Sequence, residues 1–477
     1  MHVRQVWSLI IVVVLLSMPV GLHAQAVNGT LLGTVTDNTG ASLANAKVTA
    51  TEVGTGAIHE SVTNESGNYT FPDLQPGTYS ITVEAKGFKK ETHQNIDLLS
   101  NSSTRVDIST EPGNVSETIL VTTAPALLQT DRADISTKIE AHQIADLPLG
   151  TNRNFQSLLN LVPGTSPATF QHSQFFNAQS SLQTEANGIP RMGNLYQIEG
   201  IDDDERTGLL QIIIPPAEAI QSVDISTNNF EAELGRATGA VTNVTLKSGT
   251  NAFHGSAFEY IQNNAVNARS YFQTTPLGHL SYNYFGGSIG GPVWENKLFF
   301  FQDYLRTTDH ENIANTFTIP PPIFYTANGQ GFIDLSAPLV GTNCANVTTC
   351  KGQVFDPTTG DGTAAHPRTP FINNQIPISK VNPVSLAFLQ ALSKVAQPNQ
   401  NQSNLASPTN NFGINLPFTK TTNSYDTKID FALNEKNHIS GRYSYQSVNT
   451  FQAPAFGAFL GGPAGAGGFE ATGTQNS

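Results

Sequence analysis

From Asn28 to about Thr110, short runs of alternating apolar and polar residues are separated by clusters of Gly, Asn, Asp and Pro. A period of two is the signature of half-buried strands, and it predicts strands at Leu31 to Thr36, Ala46 to Thr51, Ile58 to Thr63, Thr78 to Glu84 and Thr104 to Ser109. Tyr79, Ile81 and Val83 mark one inward face. Asp37 to Gly40, Asn64 to Gly67 and Gln75 to Gly77 supply the turns, because Gly and Asn accept positive φ and Pro fixes a turn value. The spacing suits a small β-sandwich.

The period then lengthens. Ala141 to Leu147 reads as a short helix, and Phe155, Leu158, Leu159 and Val162 recur at helical spacing before Pro163 and Gly164 stop the element. Past Lys247 the pattern returns to two, now rich in aromatics. Tyr425, Thr427, Ile429, Phe431 and Leu433 alternate with Ser424, Asp426, Lys428 and Asp430, which places one face in lipid and the other in a polar lumen. Ile439, Gly441, Tyr443 and Tyr445 repeat the pattern after a short turn at Leu433 to Asn437. Ala252 to Gln262, Ser281 to Val293 and Lys297 to Leu305 are three earlier strand candidates. Residues 309–423, rich in Pro, Asn, Gly and Thr, read as one long external loop.

The amino terminus follows another logic. Arg4 precedes the apolar run Leu9 to Leu16, then Pro19, Gly21 and small residues at Ala24 and Ala26, so residues 1–25 read as a cleaved signal peptide. No Cys follows to accept a lipid anchor. No later segment is apolar enough to span a bilayer as a helix, so any membrane span must be a barrel, in which every backbone group is paired.

Composition narrows the function classes. A net charge of −13 without any Lys/Arg block lacks the footprint that phosphate neutralisation requires, which argues against nucleic acid. The two cysteines, Cys344 and Cys350, cannot frame a fold; they form either a local disulfide across one loop or a free pair. The histidines form no i, i+4 pair and there is no His-Glu-x-x-His, so no metal site is expected. The acidic run Asp202 to Glu205 reads either as a Ca²⁺ site of clustered carboxylates or, since it lacks the spaced ligands and Gly of an EF-hand loop, as a solvated loop, which is the preferred reading. Gly286-Gly-Ser-Ile-Gly290 has the spacing of a nucleophile elbow, but Pro292 and an aromatic strand follow where a helix is needed. No catalytic residue and no cofactor are expected.

Two sets of motifs carry a family resemblance. Gly33-Thr-Val-Thr-Asp37, Gly67-Asn-Tyr-Thr-Phe71, Pro76-Gly-Thr-Tyr79 and Gly87-Phe88 resemble the carboxypeptidase regulatory-like domain, a prealbumin-like sandwich that implies no peptidase. The string from Asn152, with Arg153, Asn154 and Phe155, to Pro163 and Gly164 resembles the start of the plug in Oar-like TonB-dependent receptors. Further landmarks of that family follow in order: Asn187-Gly188-Ile-Pro-Arg191, Tyr196-Gln-Ile-Glu199-Gly200-Ile-Asp202, and Asn229 to Gly239 with Gly235 and Arg236. Lys247 to Asn251 and Phe253-His-Gly255 close the series. Gln197-Ile-Glu-Gly200 stands where the family usually has Leu-Asp-Gly.

The resemblance implies a mainly β chain: signal peptide 1–25, sandwich 26–112, α+β plug 113–250 and a partial outer-membrane barrel 251–477. About five strands are countable, against about eight in the smallest barrels and about twenty-two in these receptors, so the chain reads as a receptor's front portion. Glu117, Thr118, Ile119, Leu120 and Val121 read either as an ordinary linker strand or as a TonB box. Such a box adds as a strand to the periplasmic energy-coupling protein TonB. Expected partners are therefore TonB, outer-membrane lipid and an unidentified extracellular ligand such as an oligosaccharide, a peptide or a metal chelate. The alternative is a non-enzymatic adhesion or secretion protein whose sandwich binds carbohydrate or protein.

Overall fold

The computed structural model describes residues 28–113, 118–121, 133–150, 152–170, 177, 179–206, 210–269, 271, 278–338, 350–434, 437–457 and 472–476. The signal peptide, Glu117 and Cys344 lie outside the described residues.

The amino-terminal unit contains β1 (Gly29–Asp37), β2 (Lys47–Glu52), β3 (Ile58–Val62), β4 (Asn68–Leu74), β5 (Gly77–Glu84), β6 (Lys90–Leu98), β7 (Ser103–Arg105), β8 (Ile108–Thr110) and β9 (Thr118–Val121). One sheet has the order β4-β1-β7, with β8 also on β1; the other runs β3-β2-β5-β6-β9. Leu31, Val35, Val48, Tyr79, Ile81, Val83 and Ile96 fill the space between them. Burial raises the phenols of Tyr69 and Tyr79 well above their ordinary range, and each hydroxyl donates to a backbone oxygen, that of Val106 at 2.6 Å and of Gln75 at 2.8 Å. Gly33 is required by contact: a Cβ there would stand 1.9 Å from the Val106 oxygen.

Two of these strands are absent from the predicted set. β4 contains Pro72, which demotes a strand reading, and β6 is polar and interrupted at Asn95, whose φ of 59° marks a bulge that breaks the alternation. The stretch predicted as one strand at Thr104 to Ser109 is two short strands, both parallel to β1.

The middle unit contains β10 (Ile135–Glu140), α1 (Ala141–Asp146), β11 (Thr169–Phe170), β12 (Leu182–Gln183), β13 (Leu195–Ile198), β14 (Ile201–Asp202), β15 (Ile220–Asn228) and β16 (Val241–Leu246). Its main sheet has the order β10-β15-β16-β13-β14, with β13 parallel to β16. Phe155, Leu158, Leu159, Ile144, Val223, Ile225 and Val244 form the core beside it. The segment predicted as a helix from its spacing is a 3-10 helix at Phe155–Leu161, capped by the Asn154 side chain on Gln156 N. A tight helix fits between that cap and Pro163, which disfavours α geometry in Val162.

The last unit is one antiparallel sheet of β17 (His254–Asn263), β18 (Leu280–Trp294), β19 (Leu298–Phe317), β22 (Phe412–Asn434), β23 (Asn437–Gln452) and β24 (Thr472–Asn476), in that order. Along β22, Ser424, Asp426 and Asp430 are buried while Tyr425, Ile429 and Leu433 are exposed, the alternation the sequence predicts. At about 3.4 Å per residue the 23-residue β22 is far longer than a hydrocarbon layer of about 30 Å requires. Pairing of β19 with β22 continues to Phe317 opposite Phe412, so the loop expected from about 309 to 423 is shorter than its composition suggests. It carries structure of its own: β20 (Phe332–Asp334) pairs β21 (Gln375–Pro377), and α2 (Pro383–Val395) is capped by Asn382. Buried Asn374 bonds the backbone of Leu335, Gly352 and Val354, and Cys350 is disulfide-bonded. No described helix is long and apolar enough to cross a membrane.

The sandwich rests against the tight-turn end of this sheet. Asn251 N donates to Gly54 O and Asn251 Nδ2 to Thr55 O, both at 2.8 Å, while Asn296 N donates to Asn251 Oδ1 at 2.8 Å.

Candidate functional site

The middle unit is fastened to the polar face of the long sheet, and several sequence landmarks are the fasteners. Arg153, held at a positive φ of 44°, donates from Nε to Glu218 Oε1 at 2.7 Å and lies 4.2 Å over the Tyr260 ring of β17. Tyr260 donates to the same carboxylate at 3.1 Å, and Lys247 donates to the Glu218 backbone oxygen at 2.7 Å. Burial lowers the Lys247 ammonium from its ordinary value, with Glu218 opposing that shift.

A second fastener lies nearer the tight turns. Glu199 occupies a turn at φ 53°, followed by Gly200 at φ 78°, and its Oε1 accepts from Lys428 Nζ at 2.5 Å. Gly200 N donates to Asn243 Oδ1 at 2.9 Å, which ties that turn back to β16. Asp203 shares the field of Arg442 on β23, a residue that also acts on Asp303 and Asp426, register partners across β19 and β22.

The acidic run is not the solvated loop expected of it. Asp203 and Asp204 are buried, and Arg236 bridges Asp202 at 2.8 Å and Asp204 at 2.5 Å. Burial pushes the Asp203 carboxyl up to about 8, opposed by an Ile213 N–H and by Arg442. Burial likewise brings Asp204 to about 6, opposed first by the Tyr196 N–H. Among the described residues, no three His, Cys, Asp or Glu side chains could hold a metal ion.

The remaining landmarks are structural. Phe155 is core, and Asn154 Nδ2 donates to Ser180 O at 2.9 Å. Gly164, at φ 88°, has no room for a Cβ beside Asn187 Oδ1. Asn187 and Gly188 form a positive-φ turn whose Asn187 Nδ2 donates to Thr227 O at 3.0 Å. Pro163 limits the 3-10 helix, and Gly235 caps another at Ala232–Leu234 in ordinary right-handed geometry.

Toward the loop end of the strands a cavity of about 120 Å³ separates the middle unit from the sheet, lined by Gln179, Ser180, Tyr282, Tyr284, Asp309 and Lys420 among others. Lys420 is buried, donates to Ser180 Oγ at 2.7 Å and is the register partner of Asp309. The sequence placed Lys428 on no more than a polar face and Lys420 in the external loop. The contacts of Glu218, Tyr260, Lys420 and Arg442 carried no local signal, because their partners are remote in sequence.

Thr118–Val121 is a strand, parallel to β6, with Lys90 opposite Thr118, Glu91 opposite Ile119, Thr92 opposite Leu120 and His93 opposite Val121. Leu120 is 56% exposed.

Residues 245–477 match the family described as outer membrane beta barrel domain, and residues 30–111 match the carboxypeptidase regulatory-like domain. The TonB-dependent transporter Oar of Myxococcus xanthus is 28% identical over 324 residues, which is 64% of this chain and 29% of that protein. Carboxypeptidase D of Anas platyrhynchos is 27% identical over 161 residues, 34% of this chain and 10% of that protein. The chain thus spans less than a third of the length of these curated relatives. Among solved structures, the ferric enterobactin receptor of Pseudomonas aeruginosa aligns at a TM-score of 0.33 and 12% identity, covering 67% of this chain and 34% of that one. The siderophore receptor of Acinetobacter baumannii aligns at 0.32 and 14%, covering 72% and 43%.

A sheet with one lipid-type face and one polar face, filled on the polar side by a folded unit, defines an outer-membrane β-barrel protein. Within that class the chain is a homologue of the Oar-like TonB-dependent transporters, with an amino-terminal carboxypeptidase regulatory-like domain. The middle unit, expected from the sequence to be the plug, keeps that label below.

Proposed function

We propose that the chain supplies the sandwich, plug and barrel strands of a receptor that takes up an extracellular ligand, with TonB drawing on residues 117–121. The observation that carries this reading is the place of β9: an extended strand lying in the chain between the sandwich and β10, the edge strand of the plug sheet. Main-chain pairing gives a strand-adding partner affinity with little sequence demand, and a pull on β9 leads along the chain to β10. The contacts of Tyr260 with Arg153 and Glu218, and the Glu199–Lys428 pair, keep the plug seated until that pull arrives.

The ligand class is an oligosaccharide, a peptide or a metal chelate, bound where plug and strands meet toward the external loop. No enzymatic step is proposed. The sandwich is a poor aromatic platform for sugar, since Tyr69, Phe71 and Tyr79 are core. The test is uptake of radiolabelled oligosaccharides, peptides and ferric chelates by cells carrying the receptor, with and without residues 117–121. Energy-dependent accumulation of one class, lost on deletion, supports the proposal; adhesion without uptake, indifferent to the deletion, overturns it in favour of a surface-adhesion protein.

A further inference from the structure

We infer that the sandwich is a holder in cis for the coupling strand: the edge of β6 takes Thr118–Val121 as its neighbour, and TonB gains that strand only by exchange. The inference rests on the coupling role proposed above for this segment.

The chain is pinned beside the start of β6 before it reaches β9. Lys89 N donates to Glu111 O at 2.9 Å, Gly113 N donates to Gly87 O at 3.1 Å, and Phe88 bridges Pro112. The Lys89 ammonium meets the Glu111 carboxylate at 3.0 Å. β9 then continues along Lys90 to His93, in register over all four residues. Without β9, β6 would be the outer strand of its sheet, presenting the unpaired row of N–H and C=O groups that edge strands are built to avoid.

The mechanical layout favours exchange over simple addition to the outer side of β9. While β9 remains on β6, a pull on it is borne by the sandwich, and the sandwich is fastened to the barrel rim through Asn251 on Gly54 and Thr55. The load reaches β10 and the plug only after β9 leaves β6. Four parallel pairs with Leu120 largely exposed form a weak hold, of the kind that opens locally without unfolding the domain. The sandwich therefore sets how readily the coupling strand is offered.

The test uses the full chain with Thr92→Cys and Leu120→Cys, the register partners on the outer face, joined or not joined by a short bifunctional thiol reagent. Capture of the TonB carboxy-terminal domain is expected to fall tenfold or more, a shift of about 1.4 kcal/mol, in the joined form. Equal capture by both forms overturns the inference, since TonB would then add beside β9 in place. Failure of the two thiols to join overturns the register on which it rests. In the unmodified chain without TonB, the alternate amides of β9 that face β6 should exchange more slowly than those that face away, and equally free exchange at all of them likewise overturns the holder. Deleting residues 117–121 from the unmodified chain separates the two ideas: undiminished TonB capture refutes the coupling role itself.

Discussion

Arg153 Nε lies 2.7 Å from Glu218 Oε1, with side chains only 9% and 10% exposed, and the Tyr260 ring of the barrel closes over the guanidinium. An ion pair this dry is worth little by itself against two apolar groups, yet removing one member leaves an uncompensated buried charge. Arg153→Ala should therefore destabilise the plug by about 3–5 kcal/mol, read as a lower denaturant midpoint. The Arg153→Ala, Glu218→Ala double variant should lose less than the sum of the single losses. Additive losses would mean that the two side chains do not act on each other.

Asp203 gives a pH dependence of defined sign. Its folded value of about 8 stands above the ordinary carboxylate value of 3.8, so the folded chain binds more protons than the unfolded chain between those limits. Stability falls as pH rises through that window, with a limiting slope of about 1.4 kcal/mol per pH unit for one group. Asp203→Asn removes the charge and keeps an acceptor for the Ile213 N–H, which now donates to Oδ1 at 3.2 Å. The variant should match the parent near pH 4, exceed it near pH 9 and show a flatter profile between. A parent profile that rises with pH over this window, unchanged by the substitution, would assign the ionised form to the folded state.

Gly33 tests the sandwich. A Cβ at this position meets the Val106 oxygen at 1.9 Å and the Tyr69 hydroxyl oxygen at 2.9 Å, so Gly33→Ala must push β1 away from the neighbouring chain or break the Tyr69 hydrogen bond. Overpacking of this kind costs about 1–3 kcal/mol. The sandwich should open at lower temperature in Gly33→Ala, detected by protease cleavage within residues 28–113, while plug and barrel resist as before. An unchanged cleavage temperature would show that β1 shifts freely.

What was legible in the sequence follows from what is local. The lipid and lumen faces of β22 were readable because a strand reverses its side-chain direction at every residue, so Tyr425 and Asp426 declare opposite sides without reference to anything distant. The turns at Gly40, Gly67 and Gly164 were readable because positive φ selects glycine. β6 was missed because the bulge at Asn95 shifts the inward face in mid-strand. The roles of Arg153 and Glu199 were also not readable. Arg153 meets a partner 65 positions away and Glu199 one 229 positions away, and neither spacing leaves a mark on its surroundings. The family landmarks located such residues without saying what they touch.

Lys428 and Glu199 carry the clearest link between plug seating and coupling. Their side chains are 11% and 19% exposed and join a barrel strand to a plug turn at 2.5 Å. Because Glu199 sits at positive φ beside Gly200, the turn is held in shape by Asn243 even when Lys428 is lost. Lys428→Ala should therefore loosen the plug from the strands without unfolding it. The expected signs are faster modification of a cysteine introduced at exposed Ile201 and a cost of about 1 kcal/mol in seating, since half-buried Glu199 is left unpaired but within reach of water. Exchanging the charges, Glu199→Lys with Lys428→Glu, keeps the attraction but moves the negative charge onto a strand already carrying Asp426 and Asp430. Partial recovery is expected, less than full because of that crowding. If the exchanged pair labels as fast as Lys428→Ala, the contact is one of shape rather than charge, and the plug is held chiefly by Arg153.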